Sequence, residues 1–216
     1  MPVLLSTAYI PPISYFAALA KEMGGFIEVC ENYQKQSYRN RCRFYGADGP
    51  QTLSFPVIHD NGTYRNPVSE VRIEYRRPWV SQHKRAIESA YRSSAYYDYY
   101  HEELFQILDS KPERLIELNM AILKFFIEKT GLDIRVNLTE DFSREGLLTT
   151  AEGTIACEDL REVIHPKREN TILADLGLEK PYFQVFSGKH GFISDLSIMD
   201  LLFNEGPAAA DYIRKF

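Results

Sequence analysis

The sequence predicts an α/β protein with a central mixed sheet, an N-terminal parallel β-α-β unit, an antiparallel β insertion and covering helices. Residues 3–8 and 26–30 are short apolar runs typical of buried strands, and a segment with helical periodicity separates them. Residues 39–57 alternate between polar and apolar side chains and contain turn signals. From residue 79 to residue 130, apolar side chains recur at helical spacing.

The N-terminal unit determines where a ligand site is expected. Pro11-Pro12 opens the predicted helix, and Gly24-Gly25 ends it. A crossover helix of about a dozen residues favours right-handed, parallel pairing of the two flanking strands. Loops that follow parallel strands open at the same edge of the sheet, which is where open α/β sheets bind ligands. Residues 9–12 and 31–40 should therefore lie side by side.

The predicted β insertion begins with a basic strand. Arg39, Arg41 and Arg43 alternate along it, which places three guanidinium groups on one face. In a regular strand Asn40 points the other way. The other elements predicted here are a hairpin turn at 47–50, its partner strand at 53–57 and a strand at 71–75.

The second half of the chain is mainly helical in its pattern. Helices are predicted over 79–92, over 97–108 and from about residue 110 to just before Gly131. Strands follow at 133–138 and 182–186, and two short helices divided at Gly206-Pro207 close the pattern. Residues 139–180 are polar and lack a sustained period, so no element is assigned to them.

Composition indicates one globular domain spanning residues 1–216. Of the 216 residues, 44% are hydrophobic and 25% are charged, as in ordinary soluble proteins. The three cysteines form no CxxC pair and no disulfide framework, which favours a reducing compartment. We see no signal peptide and no membrane span, so a cytoplasmic protein is expected.

Basic residues are concentrated in one region of an otherwise acidic chain. Residues 33–92 hold eleven Lys and Arg against five Asp and Glu, whereas the whole chain has a net charge of −5. This segregation predicts a small anionic ligand, such as a phosphate or a nucleotide-sugar, and argues against a long nucleic acid. Alternatively, the arginines simply solvate exposed edge strands.

The run after the second strand holds most of the candidate ligand-binding residues. Lys35 and Arg41 are suited to bind an anion, the first as a point charge and the second as a bidentate fork. Ser37 and Asn40 add neutral donors, and Tyr9 lies in the loop expected beside them. The competing interpretation is a solvated loop followed by an edge strand.

Candidate catalytic residues lie further along the chain. His83 is the first candidate general base, because histidine titrates near neutrality. It shares a helical stripe with Trp79 and Ile87, so a hydrogen-bonded core histidine is the alternative. Asp200 and Asn204 lie four residues apart on one helix face and are a second candidate pair, which helix packing also explains. The chain lacks zinc-binding histidine spacing, GxGxxG, the P-loop and GxSxG, so neither a metal nor a cofactor is predicted.

Four segments together resemble the WbqC-like family of bacterial proteins. They occur in the family's order and read YIPPISYF (9–16), YQKQSYRNR (33–41), WVSQHK (79–84) and LSIMDLLFNEGP (196–207). The last is the most specific. One departure is clear: many relatives have His-Gln-Pro after the first strand, where this chain has Ser6-Thr7-Ala8-Tyr9.

The resemblance implies a cytoplasmic protein whose relatives are often encoded among polysaccharide biosynthesis genes. It implies a transferase that modifies an anionic activated amino sugar with an acyl or aminoacyl group. The positions it favours are Lys35, Ser37, Asn40, Arg41, His83, Asp200 and Asn204. The alternative is a non-enzymatic module that binds a phosphorylated metabolite or a partner protein.

Overall fold

A computed structural model describes residues 1–58, 66–150 and 153–214 of the chain, with the side chain of Thr150 left out. Its strands are β1 (Val3–Ser6), β2 (Gly24–Glu28), β3 (Arg41–Gly46), β4 (Gly49–Ser54), β5 (Arg135–Leu138), β6 (Leu147–Thr150), β7 (Gly153–Ala156) and β8 (Glu158–Asp159). Its helices are α1 (Ile13–Lys21), α2 (Trp79–Tyr91), α3 (Tyr97–Asp109), α4 (Leu115–Thr130), α5 (Ile172–Asp175), α6 (Ser187–His190), α7 (Ile198–Glu205) and α8 (Ala208–Ile213).

The central sheet has the strand order β5-β2-β1-β8, and every neighbouring pair is parallel. This confirms the α/β class and the parallel β-α-β unit. The antiparallel pairs β3-β4 and β6-β7 form separate two-stranded ladders. The antiparallel pairing that the sequence predicts therefore occurs beside the central sheet, and the described part of that sheet is purely parallel.

Two glycines let β2 approach β1 closely. Gly25 pairs with Val3, and a Cβ at Gly25 would lie 2.5 Å from the backbone oxygen of Val3. The sequence predicts that Gly24-Gly25 ends α1, but both glycines belong to β2. Met23 makes the turn instead, with a φ of 54°.

The N-terminus of α1 is completed by a distant part of the chain. Its N-cap residue, Pro12, makes no side-chain hydrogen bond. The backbone N–H of Ser14 donates to Asp195 Oδ1 at 2.8 Å, and Ser14 Oγ donates to Oδ2 at 2.9 Å. The N–H of Ile13 donates to the carbonyl of Leu196. Asp195 holds a φ of 51°, so its backbone is strained to make this contact.

The basic strand is shorter than the pattern predicts. Arg41 and Arg43 lie on β3, which pairs with β4 across a turn at 47–48. Arg39 instead lies in a 3-10 turn, Tyr38–Asn40, where its N–H donates to Ser37 Oγ at 3.4 Å. The prediction that Arg39 shares a strand face with Arg41 and Arg43 is wrong, because the local serine bond favours a turn over extended backbone.

Helices α2 and α3 match their predicted spans, and α7 and α8 divide at Gly206-Pro207 as expected. Helix α4 begins at Leu115, several residues later than predicted. There the side chain of Glu117 accepts a hydrogen bond from the N–H of Arg114 at 3.1 Å. Gly131, with a φ of 68°, ends this helix in the left-handed conformation that glycine tolerates.

Two predicted strands do not form. Residues 182–186 are irregular, because Tyr182 and Gln184 turn inward to bond Asp200 and no described strand pairs with them. Within the described ranges, residues 71–75 make only single bridges, between Val57 and Ile73 and between Arg72 and Arg114. The unassigned region 139–180 contains the β6-β7 ladder, β8 and α5.

The hydrophobic core lies between the central sheet and its helices. Residues of β1, α1, α4 and α7 are almost fully buried there, including Leu5, Phe16, Phe126 and Phe203. None of the helices in the described ranges combines the length and apolar character needed to cross a membrane. The core positions the carboxyl ends of β1, β2 and β8 at one edge of the molecule.

Replacing Gly25 by alanine should destabilise the protein by about 1–3 kcal/mol, the usual cost of overpacking. The added methyl would meet the Val3 backbone, which cannot move without breaking the β1-β2 ladder. Urea unfolding followed by circular dichroism measures the change. Gly188→Ala is the matched control, because no atom lies within 4 Å of the position that its new methyl would occupy. A comparable loss of stability at Gly188 would contradict this account.

Candidate functional site

A small cleft lies at the carboxyl edge of the central sheet. It is lined by residues 5–8 at the end of β1, residues 37–39 before β3, residues 160–165 after β8 and Tyr15 of α1. It encloses about 10 Å³, room for about one water molecule. This is the edge where open parallel sheets bind ligands, because the loops that follow the strands converge there.

A buried ion pair forms one wall of the cleft. The guanidinium of Arg39 bonds Glu31 through Nε at 3.1 Å and through a terminal nitrogen at 2.7 Å, a bidentate geometry. The same group donates to Ser6 Oγ at 2.9 Å, which ties the pair to the end of β1. Burial raises the pKa of the Glu31 carboxyl, and Arg39 opposes that rise.

A second arginine closes the neighbouring wall. Arg161 bonds Asp159 at 2.6 Å and reaches the fully buried Glu28 at 3.4 Å. The hydroxyl of Thr139 and the N–H of Ser143 also donate to Glu28, at 2.7 and 2.8 Å. Each guanidinium of the cleft therefore faces at least one carboxylate, and the two walls carry no excess positive charge.

His165 is the imidazole that lines the cleft. Its Nδ1 accepts a hydrogen bond from the backbone N–H of Lys167 at 3.2 Å, which leaves the proton of the neutral ring on Nε2. Burial and the nearby Arg168 lower the pKa of His165, so the ring is neutral at pH 7. A neutral ring with Nε2–H is a hydrogen-bond donor towards an oxygen of a ligand.

Side-chain contacts hold the loop after β8 (residues 160–168) against the loop before β3. Gln34 donates to Glu162 Oε1 at 3.0 Å, and Lys167 donates to Gln36 Oε1. All four side chains are exposed, so these contacts cost little to break. Residues 165–168 can therefore move away from the edge more easily than Arg161, whose guanidinium bonds Glu28, Asp159 and the carbonyl of Ser143.

The structure places Lys35 and Ser37 at this edge, as the parallel sheet requires. Ser37 lines the cleft, but its Oγ donates to the carbonyl of Gln34 at 2.8 Å and so shapes the loop. Lys35 is exposed on the same loop. Their roles towards a ligand stay predictions.

Tyr9 and His83 lie together, away from the cleft. The hydroxyl of Tyr9 donates to His83 Nδ1 at 2.8 Å, and His83 Nε2 donates to the carbonyl of Ser54 at 3.1 Å. The carbonyl can only accept, which assigns the proton to Nε2. Burial lowers the pKa of His83 to about 4. With both nitrogens occupied, His83 has the geometry of the core histidine that the sequence offered as the alternative.

Asn40 and Arg41 lie at the start of β3, next to Phe55. Asn40 Nδ2 donates to the carbonyl of Phe55 at 2.7 Å, while its Oδ1 is buried without a partner in the described structure. Arg41 Nε is buried and likewise lacks a partner among the described residues, although Arg41 is half-buried overall. Neither residue lines the cleft with Ser37.

Asp200 and Asn204 belong to a buried network on α7. Asp200 accepts hydrogen bonds from Tyr91 at 2.9 Å, Tyr182 at 2.6 Å and Gln184 at 2.9 Å. Asn204 donates to the backbone carbonyl of Asp200 at 2.8 Å. Burial raises the pKa of Asp200 to about 6, and the three donors oppose the rise. The network anchors residues 182–193 to the core, and Asp200 is only 1% exposed.

The predicted site residues thus fall into three groups: Lys35 and Ser37 at the edge, Tyr9, His83, Asn40 and Arg41 near β4, and Asp200 and Asn204 on α7.

Sequence reasoning missed Glu31, Arg161 and His165. Glu31 directly follows the second predicted strand, and that position could have identified it as a residue of the carboxyl edge. Arg161 and His165 lie in the region 139–180, where no sequence pattern could have identified them. Within the described ranges, no group of three or more His, Cys, Asp or Glu side chains is placed to hold a metal ion.

A wider groove lies between α2 and α3. It has a volume of about 410 Å³ and is lined by Tyr75, Phe105 and several basic side chains. Lys84 pairs with Asp109 at 2.6 Å. Arg77, Arg85 and Lys111 form no ion pair with any residue that the structure describes, so the groove has an excess of positive charge.

Fold and site define an α/β protein with a polar cleft at the carboxyl edge of a parallel sheet. The model of the WbqC-like protein family matches residues 7–212, so this chain belongs to that family. The Mycobacterium tuberculosis protein called "Uncharacterized protein Rv1507c" is 25% identical over 228 residues, which cover 98% of this chain and 96% of that protein. No solved structure matches the chain.

Replacing Arg39 by methionine should cost about 3–5 kcal/mol of folding free energy, because it leaves Glu31 charged and buried without a partner. Urea unfolding measures the loss. Arg168→Met, in the exposed pair with Glu162, is the control and should cost less than about 1 kcal/mol. Glu31→Leu combined with Arg39→Met should be less harmful than Arg39→Met alone. Equal costs at Arg39 and Arg168 would contradict the buried-pair account.

The Asp200 network should make stability depend on pH. Its folded pKa of about 6 exceeds the value of about 3.9 of a free aspartate, so the folded state binds the proton more tightly. The associated stabilisation, about 3 kcal/mol, is present below pH 4 and is lost as pH rises through 6. Relative to Asp200→Asn, the native protein should lose this amount between pH 4 and pH 7 in urea titrations.

Gly188→Ala, which alters no titratable group and adds a methyl with no atom within 4 Å, is the control for this experiment. Its stability relative to the native protein should change little over the same pH range. A difference between the native protein and Asp200→Asn that stays constant with pH would show that Asp200 does not titrate there.

Proposed function

We propose that the protein is a cytoplasmic transferase that holds a small anionic activated amino sugar at the carboxyl-edge cleft and adds an acyl or aminoacyl group to it. The proposal rests on one observation: the loops after β1, β2 and β8 converge on a polar cleft where parallel sheets bind ligands. Family membership supports the reaction class, through the resemblance drawn from the sequence. Surface polysaccharide biosynthesis is the proposed setting.

The cleft offers hydrogen-bond donors for such a ligand. The Nε2–H of His165 makes no hydrogen bond within the described part of the chain, and Lys35 and Lys167 add positive charge at the rim. In acyl transfer the amine of the sugar attacks the carbonyl carbon of an activated acyl donor and forms a C–N bond. The carbonyl oxygen gains negative charge until the bond to the leaving group breaks, and the leaving group takes up the proton that the amine loses. A donor such as His165 Nε2–H stabilises that oxygen.

Ligand entry requires residues 165–168 of the loop after β8 to move. The enclosed volume of about 10 Å³ is far below the several hundred Å³ typical of ligand sites. The exposed contacts of Gln34 and Gln36 with residues 162 and 167 are the ones to break. A ligand that replaces these contacts with its own would stabilise the open loop.

Titration calorimetry with inorganic phosphate and with a UDP-linked amino sugar tests binding at this edge. The double variant Lys35→Ala/Lys167→Ala should weaken binding of the sugar about tenfold, the effect of two rim charges at about 0.7 kcal/mol each. Lys21→Ala is the matched control, because Lys21 ends α1 at the opposite edge of the sheet, and it should change nothing. Absence of binding by either probe at millimolar concentration would overturn the proposal.

The alternative, a non-enzymatic module for a phosphorylated metabolite, is favoured by the groove between α2 and α3. Its volume of about 410 Å³ admits a small phosphorylated ligand, and Arg77, Arg85 and Lys111 provide charge that no described acid pairs with. In that case Arg77→Ala and Arg85→Ala should weaken phosphate binding while the Lys35/Lys167 variant leaves it unchanged. For the transferase, His165→Ala should lower turnover and retain most of the sugar affinity.

A further inference from the structure

Strand β5 forms an open edge of the central sheet. The N–H of Arg135 donates to Met23 O, and the N–H of Thr139 donates to Ile27 O, both on the β2 side. Alternate residues of a strand direct their backbone groups to opposite sides, so the N–H and C=O of Val136 and Leu138 point outward. No strand in the described ranges pairs with this side of β5. Such an edge is a template for another strand.

An aliphatic groove lies beside this edge. It has a volume of about 390 Å³ and lies between α4 and the start of β5. Its lining is almost entirely apolar and consists of Met120, Ala121, Leu123, Lys124, Ile127, Ile134 and Val136. At the far end of the strand, Leu138 is 46% exposed. An exposed edge next to an apolar groove is an unusual surface for a monomer to leave in water.

The charges around β5 make the edge complementary to itself. The strand begins with a basic residue, Arg135, and two acids, Glu140 and Asp141, follow its end. In an antiparallel pairing of two copies, the start of each strand faces the end of the other. Two identical edges therefore match basic start to acidic end twice, once on each side of the symmetry axis.

We propose that two copies of this chain pair through β5, antiparallel, to form a continuous eight-stranded sheet. Val136 and Leu138 exchange backbone hydrogen bonds with Leu138 and Val136 of the second copy. This register places Arg135 opposite Thr139 of the second copy, next to the bend that carries Glu140 and Asp141. The apolar groove beside α4 of each copy then lies next to the joined strands and is covered by the other copy. The residues of β5 and of the α4 groove are not among those that line the carboxyl-edge cleft.

Sedimentation equilibrium of the full chain over a range of micromolar concentrations tests the proposal. The native protein should dimerise reversibly. Arg135→Glu and Asp141→Arg should each raise the dissociation constant about tenfold or more, because each places like charges together twice. The two changes combined should restore dimerisation to near the native level. Arg92→Glu, an exposed change at the end of α2, is the charge-matched control and should have no effect.

A backbone variant tests the pairing independently of charge. Leu138→Pro removes an outward N–H, which an edge strand tolerates within the fold but which a paired strand needs. The variant should remain folded by circular dichroism and become monomeric. A native chain that is monomeric at every concentration overturns the proposal, as does a dimer insensitive to the charge reversals. If Leu138→Pro fails to fold, the charge reversals decide alone.

Discussion

The buried pair of Glu31 and Arg39 is the interaction on which the carboxyl edge of this molecule depends. It joins the chain after β2 to the 3-10 turn before β3, and its bond to Ser6 fixes both to β1. A pair so deeply buried is compensated only when its hydrogen bonds are complete. The loop after β2 and the turn before β3 are consequently held in one arrangement, and this arrangement determines the shape of the cleft.

The arginines of the carboxyl-edge cleft are paired with carboxylates, whereas several cations of the groove between α2 and α3 pair with none that the structure describes. Arg39 and Arg161 are both matched by carboxylates, whereas the groove between α2 and α3 has cations with no partner in the described structure. The protein thus has one narrow cleft whose lining arginines are paired and one broad, basic groove. At the cleft, Lys35 and Lys167 of the rim supply the charge that attracts an anion, whereas in the groove the lining itself supplies it.

Much of the architecture is predictable because it depends on local periodicity. The parallel unit of β1, α1 and β2 and the helices α2 and α3 follow from apolar spacing alone. Arg39 departs from the predicted strand because a serine hydroxyl two residues earlier stabilises a turn, a local bond that alternation does not reveal.

The site is predicted less completely, and for a physical reason. The edge position of Lys35 and Ser37 follows from parallel strand order, but the contacts of His83 and Asp200 depend on residues far away in sequence. His83 is occupied by Tyr9 and Ser54, and Asp200 by tyrosines of two other segments. Periodicity shows that such residues face inward, but it does not show which side chains and carbonyls they bond in the core.

The cap of α1 links this architecture to the order of synthesis. Ser14 is bonded by Asp195, about 180 residues later, so the N-terminus of α1 is completed only after that much more of the chain has been synthesised. A nascent chain that has made β1, α1 and β2 still lacks this closure, and such long-range contacts form slowly. The carboxyl edge of the sheet is therefore completed late, after residues 195 and 196 have been synthesised.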